Sequence, residues 1–458
     1  MKKDDVTMLL RQLKEKGLYR NDGRGLLFRY STSRGIWVAL TPLTGKRYLS
    51  MDTAKEAPGL RIGELDELFR ELRENVQFTE KGLSEEAYTS LLAVGNGVVD
   101  LKTGELQEHN PQMYLRHSLN FNYKAEVTAL PPDSAWHNFA RTSLGIDSPN
   151  ADATGKWKSF TEAVVYALSS LPNAKKMIVL IGHANSGKSV VLEFIEDVLG
   201  EEAWMPMTFD DMGQRFRGSL MERMQLLVCD ELPTRPLKGL DVIKRIISGN
   251  PVIIEQKGAN PKKYKPRSKI VFAANSLPSL GEPDVGGGFA TRLHLIPFTR
   301  RGNGNDLELL SKLWAERDVF LSVAVKSMPE FIARGEIFSQ VPEADRILQE
   351  FKADGFSLET FIKECCVKEE GNWLCLSELY ERYLRFCNDN LVRSITRHDL
   401  NTSLAQLGYT CQRKRIPDHP NAVVCVQGLK YRQGSSEGSP SDEAAQAKTK
   451  VVAMRKEA

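Results

Sequence analysis

The segment Gly182-His183-Ala184-Asn185-Ser186-Gly187-Lys188-Ser189 has the spacing G-x-x-x-x-G-K-[ST]. Glycines at the fixed positions let a backbone curl until successive N–H groups converge on phosphate oxygens. Lys188 then adds a positive charge beside the β- and γ-phosphates of a triphosphate, and the Ser189 hydroxyl is placed to ligate Mg²⁺. Eight residues alone are a weak signal, but their context is stronger. The apolar run Met177-Ile178-Val179-Leu180-Ile181 precedes them and the amphipathic stretch 190–199 follows. Strand, loop and helix in that order are what a phosphate cradle requires, so ATP with Mg²⁺ is the expected ligand pair.

Three further groups have types suited to the same chemistry. Gln225-Leu226-Leu227-Val228-Cys229-Asp230-Glu231 reads as a short buried strand ending in two carboxylates, 42 positions after Lys188 (230 − 188). Asp230 is suited to the Mg²⁺ shell and Glu231 to polarising the attacking water; an acidic turn after a strand is the plainer reading. Asn275 follows the strand-like run 269–274, where its amide could orient water or sense a γ-phosphate, although Asn after a strand is also a common turn former. Arg292, in Phe289-Ala290-Thr291-Arg292-Leu293-His294-Leu295-Ile296-Pro297-Phe298, could spread positive charge over a γ-phosphoryl transition state if a neighbouring subunit supplied it. Arg300 and Arg301 compete for that role.

Between the acidic pair and Asn275 lies a basic segment. Residues 257–269 hold six Lys or Arg and no Asp or Glu. The flanks 251–256 and 263–269 read as two strands around a turn-rich tip, so Lys257, Lys262 and Lys263 would project from a hairpin. That arrangement suits neutralising a nucleic-acid backbone without reading bases, and a solvated basic loop is the blander alternative.

The elements that must hold these groups divide the chain into four parts. Residues 1–130 mix strand-like runs at 25–30 and 35–40 with a helix over 63–75, where Leu65, Leu68, Phe69 and Leu72 recur at helical spacing. Val94–Leu106 reads as a strand, a tight turn at Lys102–Gly104 and a returning strand. Residues 131–345 begin at Leu130-Pro131-Pro132-Asp133, run through helical segments near 136–144 and 161–171, and then alternate strands and helices, as an α/β nucleotide-binding domain does. Residues 346–432 read as helices at 358–366, 377–388 and 396–407, with Ser377 and Thr396 as N-caps and Gly408 as a stop. A two-stranded wing over 409–415 and 422–428 completes a winged-helix pattern. Its stretch 391–416 carries Arg393, Arg397, Arg413, Lys414 and Arg415 against Asp399, and contact with DNA or packing against protein would both suit it. Residues 433–458 are Ser-, Gly-, Glu- and Lys-rich and are expected to be disordered.

Composition narrows the class without deciding it. A length of 458 residues, 41% hydrophobic and 26% charged, is ordinary for a soluble globular protein of roughly three domains. No apolar run reaches the roughly 18 residues of a membrane span, and no secretory leader is evident. Seven cysteines, six of them after residue 360 and none in C-x-x-C, indicate neither a disulfide framework nor zinc. A cytoplasmic protein with reduced thiols is expected.

Taken in this order, the loop 182–189, the strand ending Asp230-Glu231, the segment Ile243–Asn250 with its hairpin, Asn275 in Ala274-Asn275-Ser276-Leu277-Pro278, and Arg292 before Ile296-Pro297-Phe298 resemble the superfamily 3 DNA helicases. The closer resemblance is to the phage, plasmid and poxvirus-type primase–helicase family, whose accessory domain the run Asn96–Gly104 resembles; the likeness covers roughly residues 20 to 430. It implies an AAA+-type P-loop ATPase domain between an α+β accessory domain and a winged helix, assembled as a ring, usually hexameric, that translocates on single-stranded DNA. Lys188, Ser189, Asp230, Glu231 and Asn275 would serve ATP on one subunit, Arg292 would reach it from the next, and Lys257 would lead the contact to DNA. Two departures stand out. The N-terminal part shows neither room nor an acidic metal-binding pattern for a primase domain, so a separate primase or polymerase is the expected partner. Thr291-Arg292 stands where the family often has paired arginines.

Three functions compete on these features. A replicative DNA helicase of a mobile element accounts for all of them. An ATP-hydrolysing initiator or loader that reorganises DNA without unwinding it shares every motif. A small-molecule kinase needs neither the basic hairpin nor the C-terminal domain.

Overall fold

The computed structural model describes residues 3–84, 89–147, 155–212, 224–230, 239–255, 260–278, 288–299, 306–355, 357–390, 394–416 and 421–432, with the single residues 214, 221 and 237. It divides into two units. One comprises residues 1–233, 241–277 and 291–346; the other comprises 234–240, 278–290 and 347–458.

The first unit is built around a five-stranded sheet in which every pair is parallel. Its spatial order is Leu293–Phe298, Met177–Gly182, Lys269–Ala274, Leu226–Cys229 and Trp204–Pro206. Strands 177–182 and 269–274 are buried almost throughout, which is why they read as continuous apolar runs rather than alternating ones. Helix Lys188–Leu199 follows the glycine-rich loop and buries Val191, Leu192, Phe194, Ile195, Val198 and Leu199. Helix Lys156–Leu168 is buried on all sides from Ser159 to Leu168. Its Glu162 is fully buried; the carboxylate accepts from the Arg334 guanidinium at 2.5 Å and from the Ser339 backbone N–H at 2.7 Å, so the charge is paired. Trp136 anchors the same core, stacked on Phe320 at 3.6 Å with its indole N–H donated to the Leu313 carbonyl at 3.0 Å.

Two small antiparallel sheets precede this core. Strands Tyr19–Asn21, Leu27–Ser31 and Ile36–Leu40 form one, and helix Ile62–Glu74 lays Leu65, Leu68, Phe69 and Leu72 into its hydrophobic cluster, as the periodicity required. The other departs from the sequence reading. The expected hairpin forms between Gly97–Asp100 and Glu105–Gln107, but the preceding run is not one strand. It breaks at Gly95-Asn96, so that Leu91–Val94 folds back on Gly97–Asp100 and the sheet has three strands. Gly and Asn are the residues that such two-residue turns favour, and that was the overlooked signal.

The second unit holds helices Ser357–Cys365, Leu376–Asp389 and Arg397–Gln406 with an antiparallel sheet ordered Cys366–Cys375, Val423–Tyr431, Cys411–Lys414. Leu379, Tyr383, Leu400 and Leu404 are buried and Phe386 and Leu407 half-buried, as their helical spacing implied. Thr396 caps its helix through the Asp399 N–H, and Gly408 ends it in a left-handed conformation. Ser377 is not a cap. Cys375 occupies that position, and the Ser377 hydroxyl, inside the helix, accepts a bond from Arg397 at 3.1 Å. Strand Cys366–Cys375 was not anticipated. Its exposed centre, Lys368-Glu369-Glu370-Gly371, lacks alternation, and its pairing is irregular between Lys368 and Trp373.

Candidate functional site

In a parallel sheet all the strand ends of one kind lie along one edge, and ligands of such sheets bind beyond the carboxyl ends. That edge collects three of the residues singled out by type. The loop 182–189 leaves strand 177–182, Asn275 follows strand 269–274, and Asp230 follows strand 226–229. Because strand 269–274 lies between the other two, Asn275 comes between the loop and the carboxylate. In register, Ala274 pairs with Ile181 and Phe272 with Cys229, so Asp230 sits two rows short of Asn275. Two interstrand spacings put the acidic strand about 10 Å from the loop strand.

The loop has the conformation its glycines were expected to allow. A side chain at Gly182 would run into the Phe298 carbonyl oxygen of the neighbouring strand. Gly187 adopts φ 95° and a side chain there would meet Phe139, so neither position accepts a larger residue without movement. Asn185 adopts φ 61°, in the left-handed region that Asn tolerates better than most residues. His183, Ala184 and Asn185 are exposed at the tip, Ser186 is buried, and Ser189 is exposed in the first helical turn. Lys188 is buried at 7% exposure and folds back into its own loop. Its ammonium donates to the Gly182 carbonyl at 2.8 Å, the His183 carbonyl at 2.6 Å and the Ser186 hydroxyl at 3.3 Å. Burial pulls its pKa below the ordinary lysine value. A cation holding three oxygens here is chemically matched to phosphate oxygens in the same place.

One residue of this region went unnoticed in the sequence. Glu196 lies eight positions after Lys188 on the same helix, a little over two turns further along. Burial, then the charges of Asp230, Glu193 and Asp197, push its carboxyl up from 4.5 to about 7. The folded chain therefore binds this proton more tightly than the unfolded chain. The associated stability is complete below about pH 4.5 and is lost as the pH rises to about 7. Glu196→Gln is expected to raise the melting temperature by roughly 2–4 °C at pH 8 and by much less at pH 4, after allowance for solvent screening. Equal shifts at both pH values in thermal melts would contradict this.

Arg292 lies at the opposite edge. It immediately precedes strand 293–298, whose Leu293 pairs with Met177 and whose Phe298 pairs with Gly182. Six residues of strand separate Arg292 from the loop row, about 20 Å, well beyond the reach of a side chain to the loop of its own chain. The Lys176 ammonium braces this end by donating to the Thr291 carbonyl at 2.7 Å, and Arg292 Nε donates to Ser248 Oγ at 2.7 Å. The basic hairpin emerges from the same edge. Strands Val252–Ile254 and Lys262–Tyr264 pair antiparallel with Ile253 opposite Lys263; Ile253, Lys262 and Lys263 are exposed. The root is tied down by Tyr264 and Ser268, whose hydroxyls donate to the Met221 carbonyl at 3.2 and 3.1 Å. Glu231, Lys257, Arg300, Arg301 and Arg393 lie outside the described residues.

Fold and site together define a mixed α/β protein whose parallel sheet gathers a glycine-rich loop, an amide and a carboxylate at one edge, with an arginine and a basic hairpin at the other. Two protein-family models match the sequence. One, described as D5 N terminal like, covers residues 11–165, and the other, a family of unknown function (DUF5906), covers residues 180–287. Both are typical of phage and plasmid primase–helicase proteins. Among solved structures, the apo structure of the NrS-1 C-terminal region is 11% identical with a TM-score of 0.48, covering 94% of this chain and 100% of that one. The A form apo structure of the same region is 9% identical with a TM-score of 0.45, covering 92% and 98%. No curated protein matches the sequence. Among the described residues, no helix is long and apolar enough to cross a membrane.

Proposed function

We propose that this chain is an ATP-driven DNA helicase of the primase–helicase kind, acting in the replication of a phage, prophage or plasmid-type element. The observation that carries this reading is the separation of Arg292 from the loop of its own chain, with the basic hairpin rooted beside it. An AAA+-type ring of identical subunits, expected to be hexameric, reunites the two edges by setting Arg292 of one subunit against the loop of the next. The loop supports a triphosphate by its geometry: backbone curled at Gly182 and Gly187, an exposed tip, and a lysine already holding oxygens.

Each group then has a defined task. Loop N–H groups and Lys188 hold the β- and γ-phosphates, and Ser189 with Asp230 would ligate Mg²⁺, which neutralises charge on those oxygens when bound. Glu231 takes the proton of the attacking water, Asn275 orients that water, and Arg292 from the neighbour stabilises charge spreading onto the γ-phosphoryl oxygens. Lys257, Lys262 and Lys263 grip the single-strand backbone. In the second unit, the three helices and three-stranded sheet are consistent with a winged helix, and Arg397, Arg413, Lys414 and Arg415 suit a second contact with DNA. A separate primase or polymerase would supply synthesis.

Strand displacement tests the reading. Full-length protein with ATP and Mg²⁺ should separate a forked duplex, with DNA-stimulated hydrolysis. Stimulated hydrolysis without separation would overturn the helicase and leave the loader; hydrolysis indifferent to DNA would overturn both.

A further inference from the structure

The contact between Arg292 and Ser248 has a position that the motifs do not explain. Ser248 follows helix Leu240–Ile247, its N–H bonded to the Lys244 carbonyl at 3.1 Å, and it precedes by four residues the first strand of the basic hairpin. It is only 9% exposed. The next two N–H groups, of Gly249 and Asn250, close on the Ile246 and Arg245 carbonyls at 3.0 and 2.9 Å, so this hydroxyl is fixed to the hairpin root rather than carried on a loose loop. Its bond engages the Nε side of the guanidinium. The guanidinium is therefore held on its Nε side by the stalk of its own hairpin.

We infer that Ser248 is a positioning residue that couples Arg292 to the hairpin. This inference rests on the trans role of Arg292 proposed above. A guanidinium that turns toward a neighbour's γ-phosphate then pulls or releases Ser248, and displacement of the hairpin by DNA re-aims the guanidinium. The coupling is reciprocal, as linkage between two binding events requires. Nucleotide in one subunit thus sets the hairpin of the next, with the Arg292–Ser248 hydrogen bond as a connection.

The test compares full-length Ser248→Ala, Ser248→Cys and Ser248→Thr with the unaltered chain, measuring steady-state ATP hydrolysis with and without oligo(dT). A hydrogen bond to a charged group is worth roughly one to two decades of equilibrium. Ser248→Ala should therefore lower the DNA stimulation of kcat about tenfold while the KM for ATP stays within about twofold. Ser248→Thr, which keeps the hydroxyl, should restore stimulation. Ser248→Cys keeps the volume with a poorer acceptor and should resemble Ser248→Ala; it decides the matter if the alanine variant does not fold. Unaltered DNA stimulation in Ser248→Cys overturns the coupling. Arg292→Ala, assayed in parallel, separates the two failures. If it loses hydrolysis while Ser248→Cys behaves normally, only the coupling falls; if it keeps full hydrolysis, the trans role itself falls.

Discussion

Lys188→Ala is expected to lower ATP turnover at least 100-fold, with the fold intact. The ammonium is the one positive charge the loop directs at its own concavity, and it already holds the Gly182 and His183 carbonyls and the Ser186 hydroxyl. In the proposed function an arriving triphosphate would exchange those neutral oxygens for charged ones, and the interaction would strengthen as charge develops on the phosphoryl group. Removing one such preorganised donor typically costs about 10²–10³ in rate. Truncation leaves two carbonyls without that donor, but at a loop whose tip is open to water, so the melting temperature should fall by only a few degrees. Turnover by coupled phosphate release and thermal melts check the two halves of this expectation. Retention of full turnover would show that the loop does not serve ATP.

Arg292→Ala should cost more, because in the proposed trans role its charge is offered mainly to the transition state. Trans-acting arginines of this kind are worth about 10³–10⁵ in kcat. A loss of that size does not by itself distinguish an arginine serving its own chain from one serving a neighbour, but mixing does. Lys188→Ala subunits lack a working loop and keep Arg292; Arg292→Ala subunits have the reverse defect. Combined in one assembly, they form some interfaces where an intact loop meets an intact arginine, and activity should partly return. No recovery at any mixing ratio would count against action in trans. Arg300→Ala and Arg301→Ala, tested singly, should leave most activity if Arg292 is the arginine concerned.

What could be read before the structure was local. Leu65, Leu68, Phe69 and Leu72 announced their helix because burial of one face imposes a period, and all four are buried. The strand 269–274 announced itself because a central parallel strand is covered on both faces. The tight turn of the loop was legible because Gly182 and Gly187 stand where a side chain would not fit. Pairing was not legible. Nothing in the sequence puts strand 269–274 between the loop strand and the acidic strand, so nothing in it puts Arg292 on the far edge or Ser248 against its guanidinium. Glu196 lay hidden for the same reason, since its partner Asp230 comes from a distant strand. The strand 366–375 was obscured differently, by a charged, exposed centre that reads as a loop.

The order of the parallel sheet also governs when the loop can exist. Ile178 pairs with Val271 on one side and His294 on the other, and Gly182 is hemmed in by Phe298. Both supporting strands are made long after the loop itself, and such non-local pairings are slow to form because chain entropy must be lost before any contact repays it. During synthesis the apolar segment 177–182 is made before either of the strands that pair with it, 269–274 and 293–298. Truncations that end before residue 298 should therefore yield aggregation-prone chains rather than weak enzymes. The glycine-rich loop is thus completed only when strand 293–298 arrives, 116 residues after Gly182 (298 − 182).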